Sequence, residues 1–267
     1  MRVDDIRSTE ANRHGAYVCL CVQPSERTIA ANTAVPALAD RLGLRNEFEC
    51  EGHPRDAIAF LRRVGATPAS IADDNLLRTD AIVHVASTTA EPILEFCAEL
   101  ARLLGLANKP RVLGGVVRPT NYSGNAMHNF SYAHQVLQQP GTVVPNAFLV
   151  PMTKTTGWWE KDWMERHTYF LPRYDDSGRM LNEGHALAAE AGIECLMRRT
   201  YKSVSEPAPA GAYDFINYFE CANEDVPRFH EVCNSLRDLT KNPEWAFVRE
   251  GPTWQGQRVA TWPELFC

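Results

Sequence analysis

Two passages about half a chain apart follow one plan. Asp80 opens DAIVHVASTTAEPILEFCAELARLLG and Asp214 opens DFINYFECANEDVPRFHEVCNSLRDL. Each begins with an apolar-rich run, turns through a short polar stretch with a proline, and enters a segment of helical spacing. That spacing is carried by Leu100, Leu103 and Leu104 in the first and by Phe229, Val232, Cys233 and Leu236 in the second. GAYVCLCVQP from Gly15 is echoed in the same way by NAFLVPMTK from Asn146. Repetition of a strand–helix pattern at a fixed offset is the mark of duplication. Each copy reads as an α+β unit with helices on one face of an antiparallel sheet. Two such sheets can close on each other into a barrel-like core. The join falls in SYAHQVLQQPGTVVPN, which is rich in polar residues, Gly and Pro.

Composition narrows the function classes. The 267 residues are 45% hydrophobic and 22% charged, ordinary for a globular chain, with a formal net charge of -6. A negative chain offers no bulk electrostatic case for nucleic acid or an anionic membrane. No run of 18 apolar residues is present, so no membrane span is expected. MRVDDIRSTEANRHG lacks the apolar core of a secretory signal. The eight cysteines are scattered without a CxxC pair, which argues against zinc and for reduced thiols in a cytoplasmic protein.

The halves differ where chemistry can lie. All six tryptophans fall in the second, together with EGHALAAEAGIECLMRRTYKS at residues 183–203, a polar and aromatic insertion at 160–178, and the loop SEPAPAGA. The stretch DDSGRMLNEGHALAAEAG reads as one helix, N-capped by Asp176 or Ser177 and stopped at Gly192. His185 then lies a turn from Leu181, Ala188 and Ala189. Gly184, mid-helix at a cost of about 1 kcal/mol, leaves room for a flat group to approach. The imidazole is an iron ligand on this reading and a satisfied core or surface histidine on the other. In the following strand, alternation sets Leu196, Arg198 and Thr200 on one face and Met197, Arg199 and Tyr201 on the other. One arginine can face a pocket, where it needs an anion, or both can be surface residues.

Taken in order, GAYVCLCVQP, RTDAIVHVAS, GGVVRPTNYSG, VPMTKTTGWW, the 183–203 stretch and YDFINYFE resemble successive motifs of the chlorite dismutase family. The thirteen-residue spacing from His185 to Arg198 is also the family's. The resemblance covers nearly the whole chain. It implies duplicated ferredoxin-like units whose antiparallel sheets form a β-barrel flanked by helices. The N-terminal half, 1–140, would hold no haem, and the C-terminal half, 141–267, would hold haem b. It implies His185 as proximal iron ligand and Arg198 as the distal arginine. Lys154 and Trp158 would border the haem and its propionates, and Tyr122 would reach a propionate. Asn217 and Phe219 would line the distal pocket, with Thr200 beside them, and Glu244 would be the carboxylate on the proximal histidine.

The implied activity is that of a haem-dependent oxidoreductase. It would convert chlorite to chloride and dioxygen or act as a peroxidase on a related small substrate, in a homo-oligomeric ring, commonly a pentamer. The alternatives are a haem sensor or carrier without turnover and a coproheme decarboxylase-like enzyme. Three features depart from the family. The insertion at 160–178 is longer, Thr200 and Asn217 make the pocket more polar, and His167 in MERHTYFLPRY rivals His185, though it breaks the thirteen-residue spacing. The insertion is either a lid carrying Trp163, Tyr169 and Phe170 or plain packing. Arg199 is expected to matter little.

Overall fold

In a computed structural model the residues described are 13–22, 26–50, 54–105, 110–117 and 145–267. The first half of the chain runs β1 (His14–Leu20), α1 (Glu26–Arg41), β2 (Arg45–Asn46), β3 (Ala57–Thr67), α2 (Asp74–Leu77), β4 (Ala81–Ser87), α3 (Glu91–Leu104) and β5 (Arg111–Val117). The second runs β6 (Asn146–Lys154), α4 (Thr156–Trp159), α5 (Trp163–Thr168), β7 (Arg173–Tyr174), β8 (Met180–Asn182), α6 (Gly184–Ala188), β9 (Met197–Lys202), β10 (Phe215–Cys221), α7 (Val226–Arg237), β11 (Val248–Glu250) and β12 (Thr253–Val259).

The repeat in sequence is a repeat in topology. The first half pairs its strands in the order β5-β1-β4-β3 and the second in the order β12-β6-β10-β9. Each is therefore a four-stranded antiparallel unit with its first strand inside. The edges that each unit leaves open pair with those of the other, β5 with β9 and β3 with β12. Eight antiparallel strands close into a barrel, and closure removes the exposed edges of both sheets.

Strand alternation sorts the side chains into three layers. On the outside of the first half, Ala16, Val18 and Leu20 of β1 meet the buried faces of α1 and α3. Helix α3 buries Ile93, Phe96, Leu100 and Leu104, begins with a proline in its first turn, and ends on Gly105 at φ 58, whose amide donates to the Ala101 and Arg102 carbonyls. On the outside of the second half, α7 lays Phe229 on Phe148 with ring centroids 3.8 Å apart. Inside the barrel lie Tyr17, Leu61, Ile82, Leu149, Met197, Tyr201, Tyr218 and Trp254. Gly15 is required there, because the Tyr201 ring lies where any Cβ would stand.

The interior is not purely apolar. Arg199 Nη2 donates to Glu47 Oε1 at 3.0 Å, and the Tyr201 hydroxyl meets His84 Nε2 at 2.8 Å, all four side chains being buried. Arg199, expected to do little for ligand binding and turnover, has a structural place of its own. Its side faces the sealed interior and holds a buried carboxylate.

The expected helix over 176–192 also differs. Asp175 Oδ1 accepts from the Ser177 and Arg179 amides, and Gly178 takes φ 81, so this segment turns as the β7–β8 hairpin. Helix proper starts only at Gly184, and a 3-10 turn, Glu190–Gly192, follows it. Leu181 is accordingly exposed on β8, away from the helix. Among the described residues no helix is long and apolar enough to cross a membrane, and all eight cysteines are free. Most of the expected join at 131–146 lies outside the described residues.

Candidate functional site

His185 is positioned by backbone more than by helix length. The amides of Glu183 and Gly184 both donate to the Lys241 carbonyl, and those of His185 and Ala186 donate to Tyr169 and Phe170. Gly184 stands at φ 65, and a Cβ there would strike the Leu171 carbonyl. The close approach foreseen at Gly184 is thus an approach of backbone to backbone at the start of α6. Phe170 packs on the imidazole with centroids 5.2 Å apart. The side chain of His185 remains 22% exposed.

Its Nδ1 lies 2.9 Å from Glu244 Oε2, and the other oxygen of Glu244 accepts from Lys154 Nζ. Glu244 sits in the 3-10 turn Pro243–Phe247 and is buried, as is Lys154 at the end of β6. Burial pushes the Glu244 carboxyl toward its neutral form. The charges of Lys154 and His185 and the hydrogen bonds from both outweigh it and hold the carboxyl well below the usual range. An ionised carboxylate only accepts, so Nδ1 donates its proton to Glu244, and Nε2 is the ring nitrogen left for a ligand. Lys154 also lies over the Trp158 ring, 4.2 Å from its centroid, and Trp158 packs on Tyr169 and Phe247. Lys154, expected to border the haem and its propionates, is ion-paired with Glu244.

Lys154 joins this group to the outer face of the barrel. On β6 that face carries Phe148, Val150, Met152 and Lys154. In register beside them are Phe219 and Asn217 of β10, and across β10 lie Arg198 and Thr200 of β9, opposite Phe219 and Asn217 respectively. Arg198 is exposed where Arg199 is buried, as alternation requires. Thr200 donates to Asn217 Oδ1 at 2.9 Å, and Asn217 Nδ2 donates to the Val150 carbonyl at 3.3 Å. Phe219 packs on Phe229 of α7. His185, Glu244, Lys154 and Trp158 thus form one connected group. Arg198, Thr200, Asn217 and Phe219 form a second on the same sheet face. Tyr122 lies outside the described residues.

The donor set fits a haem. An imidazole whose Nδ1 is held by a carboxylate behind it, aromatic rings beside it and an exposed arginine on the adjoining sheet face are what an iron porphyrin takes. His167, the rival, lies on α5 and has no carboxylate partner among the described residues. Its neighbours Tyr169 and Phe170 pack on Trp158 and His185, so this part of the insertion supports the site, whereas Trp163 is 64% exposed.

Sequence reasoning missed Asp214, which accepts from the Lys154 amide at 2.6 Å, from Thr153 Oγ1 at 2.5 Å and from the Ala208 amide at 2.7 Å. Its place at the head of the second repeat, matching Asp80, was the available signal. Phe247 carried none.

No family model and no curated protein matches the chain. Solved structures do. The chain aligns with a chlorite dismutase from Candidatus Nitrospira defluvii carrying one substitution and bound to cyanide, at TM-score 0.70 and 18% identity, over 99% of this chain and 98% of that one. The same organism's enzyme in complex with imidazole gives TM-score 0.69 at 19% identity over 98% and 97%. A dimeric chlorite dismutase from Nitrobacter winogradskyi gives 0.53 at 19% over 75% and 99%. The architecture is an α+β barrel of two ferredoxin-like units. It is the chlorite dismutase fold.

Proposed function

We propose that this chain is a haem b-dependent oxidoreductase of the chlorite dismutase family, acting on a small anionic oxidant, with chlorite the leading substrate. The observation that carries the reading is the chain of contacts Lys154–Glu244–His185, which occupies Nδ1 and leaves Nε2 for a ligand. His185, backed by Glu244 and flanked by Trp158 and Phe170, would hold the haem. When bound, the haem supplies a redox-active iron at which an oxyanion can be rearranged. The protein's own part is positional and electrostatic. Glu244 keeps the proton on Nδ1 and so raises the donor strength of Nε2. Lys154 keeps Glu244 ionised.

Arg198 would hold the anionic substrate through its guanidinium charge and its fork of N–H donors. The overall change, one chlorite to one chloride and one dioxygen, needs no added electrons or protons. Asn217 and Thr200, already hydrogen-bonded to each other, would set the polarity of the distal wall beside Phe219. A homo-oligomeric ring and a cytoplasmic setting belong to the same reading. Purified chain loaded with haem should evolve dioxygen from chlorite or turn over peroxide. A haem-loaded chain that leaves both unchanged would be a sensor or carrier and would defeat the enzymatic proposal.

A further inference from the structure

Arg166 is a cation on α5 with no anion beside it among the described residues. Its Nε and Nη1 are shielded from solvent and meet no acceptor among the described residues. The guanidinium carbon stands 5.5 Å from the centroid of the Trp159 ring, and Trp159 Nε1 is likewise buried without an acceptor. Buried donors left unmatched are costly, and a buried charge more so. Two touching side chains here hold three such donors, one side chain being cationic. That combination matches the needs of a carboxylate.

The position is as informative as the chemistry. Trp159 stacks on Phe215 at 6.5 Å and 20°, and Phe215 is two residues from Asn217 on the outer face of β10. Trp158, next in sequence, belongs to the His185 side through Lys154. Three and four residues after Arg166, Tyr169 and Phe170 pack on Trp158 and His185. Arg166 and Trp159 therefore stand at the rim, where the His185 group and the Arg198 face adjoin. Lys154, which the sequence motif suggests for a propionate, is committed to Glu244.

We propose that Arg166 and Trp159 form a carboxylate-binding site at this rim and that it takes a propionate of the macrocycle. The assignment rests on the haem reading and gives the 160–178 insertion a task in gripping the cofactor. The test compares haem with its dimethyl ester, which lacks free carboxylates, each titrated into the full apo chain and followed at the Soret band. Arg166→Gln should weaken haem binding by about ten- to a hundredfold, the range for a hydrogen bond to a charged group, and leave binding of the ester unchanged. Trp159→Phe keeps the stack on Phe215, removes one N–H, and should weaken haem selectively but less.

Equal losses for haem and ester, or no loss in either variant, would overturn the assignment. Formate separates a bound propionate from a free carboxylate. An Arg166-dependent rise in the Tm of the haem-loaded protein on adding formate would mean that the site takes a free anion, and the propionate assignment would fall. A wild-type chain that binds neither haem nor ester would fail the haem reading itself and take this assignment with it.

Discussion

Arg198 and Arg199 are adjacent in sequence and opposite in environment. Arg198 lies on the outer face in register with Phe219, while Arg199 holds Glu47 within the barrel. Arg198→Gln should retain haem, bind cyanide or nitrite somewhat more weakly, and lose about thirty- to a thousandfold in turnover, the usual effect of deleting one charge-assisted contact to a developing anion. Ligand titration at the Soret band and steady-state dioxygen release measure the two effects. Arg199→Gln should act on folding, since it removes the guanidinium that donates to buried Glu47 at 3.0 Å. Breaking a buried pair costs about 3–5 kcal/mol, to be read from urea unfolding, with Arg198→Gln as the neutral control. At this scale the alternation that separates the two arginines was legible in MRRTYK. Which of the faces was interior was not, because that depends on the closure of the barrel and on Glu47 and His84, far away in sequence.

Among the elements, the main strands and the long helices α3 and α7 were legible, while α1 and the short elements were not. Helices α3 and α7 carry enough turns for an apolar stripe to show, and β1, β4, β6 and β10 alternate or run apolar. Residues 160–192 build their structure from turns, backbone-to-backbone contacts and two glycines of positive φ, which leave no periodicity. The alanines around His185 read as a long helix, yet the Asp175–Gly178 turn and Gly184 reduce it to five residues. Gly184→Ala is the matching prediction. Its φ of 65 and the Leu171 carbonyl leave no place for a methyl group. The variant should lose about 1–3 kcal/mol of stability, the range for a forced left-handed residue, together with haem affinity, because α6 must shift. Thermal unfolding with and without haem reads both.

At the scale of the whole molecule, the duplicated pattern made the barrel legible before any site was. What it could not show is the pairing of β5 with β9 and β3 with β12, since no local signal marks which edges meet. Barrel closure also explains why the candidate site lies on the outside, since the interior is filled with Tyr17, Tyr201, Tyr218 and Trp254. An outer-face site covered by short helices has surface left to cover, and the family resemblance makes a ring the expected form. Light scattering should give about five times the chain mass of 29.9 kDa, and a monomer would count against the ring.

The central claim is that His185, held by Glu244, is the residue that takes the iron. It is tested by titrating haem into the wild type, His185→Ala and His167→Ala and recording the visible spectrum of each. The wild type and His167→Ala should give the same sharp Soret band and saturate at one haem per chain. His185→Ala should bind loosely with a shifted band, and added imidazole should move that band back. An unchanged spectrum in His185→Ala, or loss of the band in His167→Ala, would contradict the account.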